Sequence, residues 1–387
     1  MARITRRKLL KLSATGAVAA RTGGLAAILA SGRAPAFAQG TTVHWLRWSD
    51  FVPASDVLLK GQITQECQKA TGITLKVETI NANDLQARIT SAIQSGTGPD
   101  IIMAIGNWPQ LYAESLADAS DVAEDIGKDQ GGYYEVSKLV ATTGGRWIGV
   151  PFTVGGGLIA YRKSWFEEIG LKTFPDTWDG LLDACKKLKA KGRPLGQTAG
   201  HTFGDAPNWW YPYLWSWGGK EVEADGKTVA LNSKGTLESV KFMTGLWKDI
   251  LHARIPKGPG GQFNLPNPFT DMIMGYSKNQ KAARDFLRWI HSKSVFAEWF
   301  ASQQGYSDGA TRMWEKDKVW DADPVLLPFR DIPPLGRLAG YAGPPNRKAA
   351  EVVTKYIITD LYAKAIQGMP AEAAVKWAYD EIAKVYV

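Results

Sequence analysis

The sequence predicts an α/β protein built on a doubly wound, mostly parallel sheet. Three features predict it: β-rich and amphipathic helical runs alternate from residue 43 onward, the third β-rich run is continuously apolar, and the alternation restarts near Pro151. Residues 43–48 (VHWLRW) put Val43, Trp45 and Arg47 on one face and His44, Leu46 and Trp48 on the other. From about Ser55, the recurrence of Leu59, Ile63 and Cys67 at i, i+4, i+8 predicts a helix that Thr71-Gly72 stops. Ile73, Leu75, Val77 and Thr79 alternate as a second strand, and Leu85, Ile89, Ala92 and Ile93 mark a helix closed by Gly96. The short apolar run 100–105 is expected to be a strand buried on both faces.

A second unit begins near Pro151. Gly155-Gly156-Gly157 leads into a predicted strand over 158–161 and a helix over 163–169; glycines allow close backbone approach, as a crossing between two units needs. Pro175-Asp176-Thr177-Trp178 opens a helix through Leu182, Cys185 and Leu188 that ends at Lys191-Gly192. Helices are predicted over 236–251, 279–291, 347–367 and 371–386, while 303–346, rich in Gly, Pro and Asp, reads as irregular.

Of the 387 residues, 45% are hydrophobic and 22% charged, which excludes a disordered chain. The formal charge of +8 does not imply nucleic acid. Seven cations (Arg3, Arg6, Arg7, Lys8, Lys11, Arg21, Arg33) and no acid lie in residues 1–38, and 46 less 7 leaves 39 basic against 38 acidic residues. The basic start, the Ala/Leu/Gly-rich stretch 12–32 and the small-x-small site Ala36-Phe37-Ala38 predict an export signal cleaved near Ala38. Residues 5–11 (TRRKLLK) resemble the twin-arginine signal, so the mature chain is expected to start at Gln39 and to be soluble in the periplasm. A membrane anchor would need about 20 strongly apolar residues, which this stretch lacks. Cys67 and Cys185 fit no metal or redox spacing and are expected as buried free thiols, and His44, His201, His252 and His291 are scattered. No metal or other cofactor is expected.

The residues that could carry chemistry are aromatics and amides. Trp209-Trp210-Tyr211-Pro212-Tyr213-Leu214-Trp215-Ser216-Trp217 holds six aromatics in nine residues, preceded by Asp205 and Asn208. Flat rings match the C–H face of a pyranose and carboxylates or amides match its hydroxyl rim, although helical spacing sends most of these rings into a core. Trp48-Ser49-Asp50 and Gly106-Asn107-Trp108 follow the ends of the first and third strands, where open α/β sheets bind ligands. Asp50 could equally be a turn or helix-capping aspartate. Gly96-Thr97-Gly98-Pro99-Asp100 leads into a strand and lacks a Gly-Lys-Ser/Thr ending, so it is a tight turn and not a phosphate loop. Asp50 with Asp205, or either with Glu167 or Glu168, could be a hydrolytic carboxylate pair, but nothing singles one out.

Five stretches carry a family resemblance: SGTGPDIIM (95–103), LIAYRKSWFEEIG (158–170), FPDTWDGLLDACKKLKAKG (174–192), YSKNQKAARDFLRWI (276–290) and GYAGPPNRKAAE (340–351). Together they resemble family 1 extracellular solute-binding proteins, the carbohydrate receptors of ABC importers similar to maltose-binding proteins. The resemblance spans nearly all of 41–387. It implies two α/β lobes, 39–153 plus 254–338 and 154–253 plus 339–387, closing on a sugar by a hinge motion. It also implies a monomer that docks transiently on an ABC permease in the inner membrane, with no catalysis of its own. Carried over position by position, the ligand residues are Trp48, Ser49, Asp50, Asn107 and Trp108 in the first lobe, and Asp205, Asn208 and Trp209 in the second, with Tyr341 near the last crossing.

One departure stands out. In the family, several tens of residues, including a crossing strand and a sugar-stacking aromatic, follow the helix that ends here at 247–251, whereas Leu251-His252-Ala253 runs directly into Arg254-Ile255-Pro256. An internal deletion after Ala253 would strip a central strand from the second lobe and leave its neighbours' backbone groups unpaired, at about 1–3 kcal/mol for each buried group. Either that lobe re-pairs its sheet or it is incomplete. The predicted function is a periplasmic sugar receptor. The alternatives are an exported carbohydrate-active enzyme, a receptor for a polyol or polyamine, and a truncated receptor without function.

Overall fold

The computed structural model describes residues 40–193, 196–201, 204–246, 258–322 and 327–387. The expected export segment, the helix end at 247–251 and the junction after Ala253 lie outside the described residues.

Strands β1 (Thr42–Trp48), β2 (Thr74–Ile80) and β3 (Ile101–Ile105) form as the alternation predicts, with β1 pairing in parallel with both others. Between β1 and β2 the helix Pro53–Leu58 continues through a π-helical turn, Leu59–Ile63, into Thr64–Thr71, burying Leu59, Ile63 and Cys67. Gly72 ends it at φ 74°, where a left-handed residue is needed and glycine takes it without strain. The helix Ala82–Ser95 starts on Asn81, whose side chain accepts from the backbone N–H of Asn83. Asp100 ties the entry to β3. Its carboxylate accepts from the backbone N–H of His44 at 2.8 Å, from the Ser277 hydroxyl at 2.6 Å and from the Asn279 amide at 3.2 Å, so the 96–100 segment is a structural turn.

After the hairpin of β4 (Thr142–Thr143) and β5 (Arg146–Trp147), the main sheet is completed by β6 (Val150–Gly156), β7 (Pro266–Ile273) and β8 (Asp308–Gly309) in the order β2-β1-β3-β7-β6-β8. β7 lies antiparallel between β3 and β6. It joins distant parts of the chain and leaves both faces of β3 buried.

Two large apolar clusters result. The first draws on 43–152 and 269–338 and surrounds the sheet. The second draws on 178–265 and 339–385 and is built by the helices Trp178–Ala190, Asp205–Ser216, Lys234–Leu246, Ile357–Ile366 and Ala371–Tyr386. Thr177 caps the first of these, its hydroxyl accepting from the Gly180 N–H. At the centre Trp210 stacks on Tyr362 with ring centroids 4.7 Å apart. Cys67 and Cys185 are buried and free.

The second cluster holds no strand ladder among the described residues; isolated antiparallel bridges join Val222 to Val229 and Gly258 to Gly261. The strand expected over 158–161 does not form, and among the described residues its backbone has no ladder partner. Ile159 packs instead against the helical core, and Tyr161 meets the rings of Phe166 and Phe174 at 5.0 and 5.2 Å. The helix expected over 347–367 is two helices, Arg347–Thr354 and Ile357–Ile366, separated at Tyr356, which takes φ 55°. No described helix is long and apolar enough to cross a membrane.

Candidate ligand cleft between the two clusters

The chain passes from the first cluster to the second along β6 and returns along residues 258–265, so the ends of β3, β6 and β7 face the start of the helix Asp205–Ser216. Gly157 makes this approach possible: a side-chain Cβ there would lie 3.3 Å from the Cβ of Asn208. A cavity of about 160 Å³ occupies the junction. Gly106, Asn107 and Trp108 line it from the end of β3, Pro266 and Asn267 from the start of β7, and Asn208, Thr354 and Tyr356 from the second cluster.

Amides dominate the polar groups of this cavity. Asn107 is only 5% exposed, and its Nδ2 has no hydrogen-bond partner among the described residues. Such an atom costs about 1–3 kcal/mol unless something in the cavity accepts from it. Across the cavity the Asn267 amide donates to Asn208 Oδ1 at 3.3 Å, linking β7 to the second cluster. No carboxylate lines the cavity. Its chemistry therefore suits a neutral ligand that both donates and accepts hydrogen bonds and offers an apolar face to Trp108 or Tyr356.

Asn208 also borders a second cavity of about 380 Å³, lined by Leu158, Ile159, Gln197, Thr198, Asp205 and Trp209. Trp209 is buried, edge-on to Trp178 at 5.7 Å, and its Nε1 has no partner in the protein. Asp205 is exposed at the edge of this cavity. Asn107, Trp108, Asp205, Asn208 and Trp209 thus fall on two adjoining cavities.

The other expected residues lie elsewhere. Trp48 is a wall of the first core, stacked on Phe269 at 5.2 Å with the planes 14° apart. Ser49 is exposed and continues the β1–β2 ladder, its N–H donating to the Ile80 carbonyl at 2.7 Å. The Asp50 carboxylate accepts from the Val52 N–H, the Ser55 hydroxyl and the Gln303 amide, and lies 3.6 Å from the buried Arg47 guanidinium. It is the turn aspartate of the alternative reading, and its acceptor capacity is used by the protein. Tyr341 borders a different cavity, with the Arg337 guanidinium 4.0 Å above its ring. Glu167 and Glu168 pair with Lys163 and Arg193 and line neither of the two cavities.

Three contributors escaped the sequence reading. Asn267 sits in a Pro-Asn-Pro run that gave no strand signal, and Thr354 and Tyr356 flank a helix break with no glycine or proline to mark it. A tyrosine at positive φ is uncommon and is a conformation that functional sites tolerate. Tyr306 lines neither cavity; burial, then the charges of Asp50 and Asp205, push its hydroxyl up to about 12. The 71%-exposed Phe51 meets that ring edge-on at 6.1 Å. Among the described residues no group of His, Cys, Asp and Glu side chains could hold a metal ion.

Comparison with known proteins agrees with this architecture. A putative binding protein of Brucella abortus is 27% identical over 203 residues, 49% of this chain and 48% of that protein; the chain thus spans about half the length of this and the other Brucella relatives it matches. A probable ABC transporter-binding protein of Deinococcus radiodurans is 24% identical over 80% of this chain and 88% of its own. Among solved structures, maltose-bound MalE3 of T. maritima superposes with a TM-score of 0.73 at 18% identity, covering 89% of this chain and 99% of that one. The GacH receptor of Streptomyces glaucescens, solved unliganded and with acarbose, gives 0.76 at 17% identity, over 89% and 98%. A solute-binding protein of Agrobacterium radiobacter in complex with ribitol gives 0.68 at 21% identity, over 90% and 99%. These likenesses place the chain in the two-lobed periplasmic-binding-protein fold. The family model described as bacterial extracellular solute-binding protein matches residues 57–295, well over half of the chain, and the protein belongs to that family.

Proposed function

We propose that the protein is a periplasmic receptor that captures a sugar or a sugar-like polyol between two lobes and delivers it to an ABC importer. The observation that carries this reading is the buried, unpartnered Asn107 amide in a carboxylate-free cavity lined from both clusters by asparagines, Trp108 and Tyr356. Neutral hydroxyls satisfy such amides, whereas a polyamine would call for carboxylates, and none lines the cavity. The related structures with maltose and ribitol support the same class of ligand. A volume of about 160 Å³ lies below the roughly 300–1,000 Å³ of ordinary ligand pockets, which favours a monosaccharide or a linear polyol over an oligosaccharide.

The lobes are 39–153 plus 254–338 and 154–253 plus 339–387, with Asn107, Trp108 and Asn208 forming the cleft between them and Asp205 and Trp209 lining the cavity that adjoins it. Export by the twin-arginine route with cleavage near Ala38, action as a monomer and docking on an inner-membrane permease complete the proposal. Capture and release leave the solute unchanged.

Thermal melts with and without mono- and disaccharides and polyols test it. Ligand at 100 times its dissociation constant adds about 2.7 kcal/mol to the native state, a readable rise in midpoint. Asn107→Leu is expected to keep or slightly raise the unliganded midpoint, because it removes an orphaned amide, while abolishing the ligand-induced rise. A rise that survives in this variant would move the ligand away from Asn107. The unpaired segment 158–161 favours a second reading, a receptor whose second lobe cannot close. That reading predicts a broad melt that no sugar or polyol moves.

A further inference from the structure

On the far side of Leu338, the one residue it shares with the amide-lined cavity, lies a separate cavity of about 440 Å³. Tyr134, Glu135, Arg312 and Glu315 line it from the first cluster's part of the chain, and Arg337 and Tyr341 from the last crossing. Arg337 is its distinctive feature. Its guanidinium lies 3.3 Å from the ring centroid of Phe263 and 4.0 Å from that of Tyr341. Among the described residues its one hydrogen bond is from its backbone N–H to the Asn264 carbonyl, and its side chain has no ion-pair partner. Arg312, exposed on the same cavity, likewise has no ion-pair partner among the described residues.

A guanidinium covered by aromatic rings can donate only along its edge, and that edge is the fork that fits the two oxygens of a carboxylate. The rings also fix its plane, so little side-chain freedom is lost when an anion binds. Two arginines and two glutamates line the cavity, so its net field is close to neutral and a dianion gains little there. We propose that this cavity is a second ligand site, for a small monocarboxylate held edge-on by Arg337. Glu135 and Glu315 accept from hydroxyl or ammonium groups that the ligand carries. The site stands apart from the proposed sugar cleft, and because it is lined by both lobes at the last crossing, its occupant bridges them.

Ligand-observed NMR on the purified full chain tests this, with acetate, lactate and inorganic phosphate as probes at constant ionic strength. The wild type is expected to bind acetate and lactate and to ignore phosphate. Arg337→Gln should lose at least tenfold in affinity for both carboxylates, and Arg337→Lys, which keeps the charge and loses the fork, should lose nearly as much. Glu135→Gln combined with Glu315→Gln should admit phosphate. Carboxylate binding that is absent in the wild type, or equal in Arg337→Gln, overturns the proposal, and phosphate preferred by the wild type overturns the monocarboxylate assignment. Sugar-induced melting shifts in Arg337→Gln report separately on the cleft: a variant that still responds to sugar is folded, so its loss of carboxylate binding belongs to this site alone.

Discussion

Asp271→Asn should make the protein more stable than the wild type at pH 8, by about 2–4 kcal/mol, and leave it nearly unchanged at pH 4. Asp271 lies in the middle of β7 with no exposed surface. The Trp45 indole N–H donates to its Oδ1 at 2.8 Å, while its Oδ2 has no partner in the protein. Burial pushes the carboxyl up to about 7, against the hydrogen bond from Trp45 and the nearby charge of Arg47. In the unfolded chain an aspartate titrates near 3.9, so between about pH 4 and pH 7 the native state holds a proton that the unfolded state has released. Stability from this group is therefore present at the acid end and lost as the pH rises through about 7. Asparagine keeps the acceptor for Trp45 and never ionises.

Other buried groups overlap this window. Glu221, pushed up to about 7 by burial, acts in the same direction, and His291, held down to about 3 by burial, acts in the opposite one by losing stability as pH falls below its unfolded value. The slope of the wild type alone is thus a mixture. The difference between variant and wild type in urea unfolding isolates Asp271, and stability curves that run parallel from pH 4 to pH 8 would show that its carboxyl ionises in the core at no cost.

Trp210→Ala should cost about 3–5 kcal/mol, the range for removing a large ring from a packed interior. The ring is fully buried, stacked on Tyr362, and meets Trp209 and Tyr213 edge-on at 6.4 and 6.3 Å. Its Nε1 donates to the Thr198 carbonyl at 3.1 Å, so truncation also leaves that acceptor unpaired. Among the described residues the second cluster has no ladder to share the load, and side-chain packing between helices holds it. A separate low-temperature transition for this half is therefore expected in near-ultraviolet circular dichroism of the variant. A single transition displaced by less than about 1 kcal/mol would mean that the helices close over the gap without it.

The first three strands were legible because local signals there agree: alternation or a short apolar run gives the strand, and Gly72, Asn81 and Gly96 mark the helix ends. β7 was not legible. Pro266 and Pro268 argue against a central strand and Asp271 against a buried one, and both signals are overridden by partners distant in sequence, β3 and β6. Asn107, Asn208 and Trp209, singled out because amides and aromatics stand at strand and helix ends, fall on the two cavities. Trp48 and Asp50 satisfy the same rule, but the interior claims both: Phe269 takes the ring and Arg47 the carboxylate. Composition alone could not separate these cases, since the difference lies in what folds back from residues 269 and 303. Tyr356 needed the helix break, which no residue type announces.

The central place of β7 also orders events on the ribosome. Its neighbours β3 and β6 are complete by residue 156, but β7 starts at residue 266, about 110 residues later. At an elongation rate of about 5–20 residues per second, two strand edges destined to sit one on each side of β7 wait several seconds without it, while the helices at 178–246 emerge. A nascent chain stalled before residue 266 leaves open edges in the half that begins first, and it leaves the helices at 178–246 without Ile357–Ile366 and Ala371–Tyr386, on which they pack. For this protein, translation speed and the chaperones that meet the emerging chain bear on both halves, because each is completed by a segment made late.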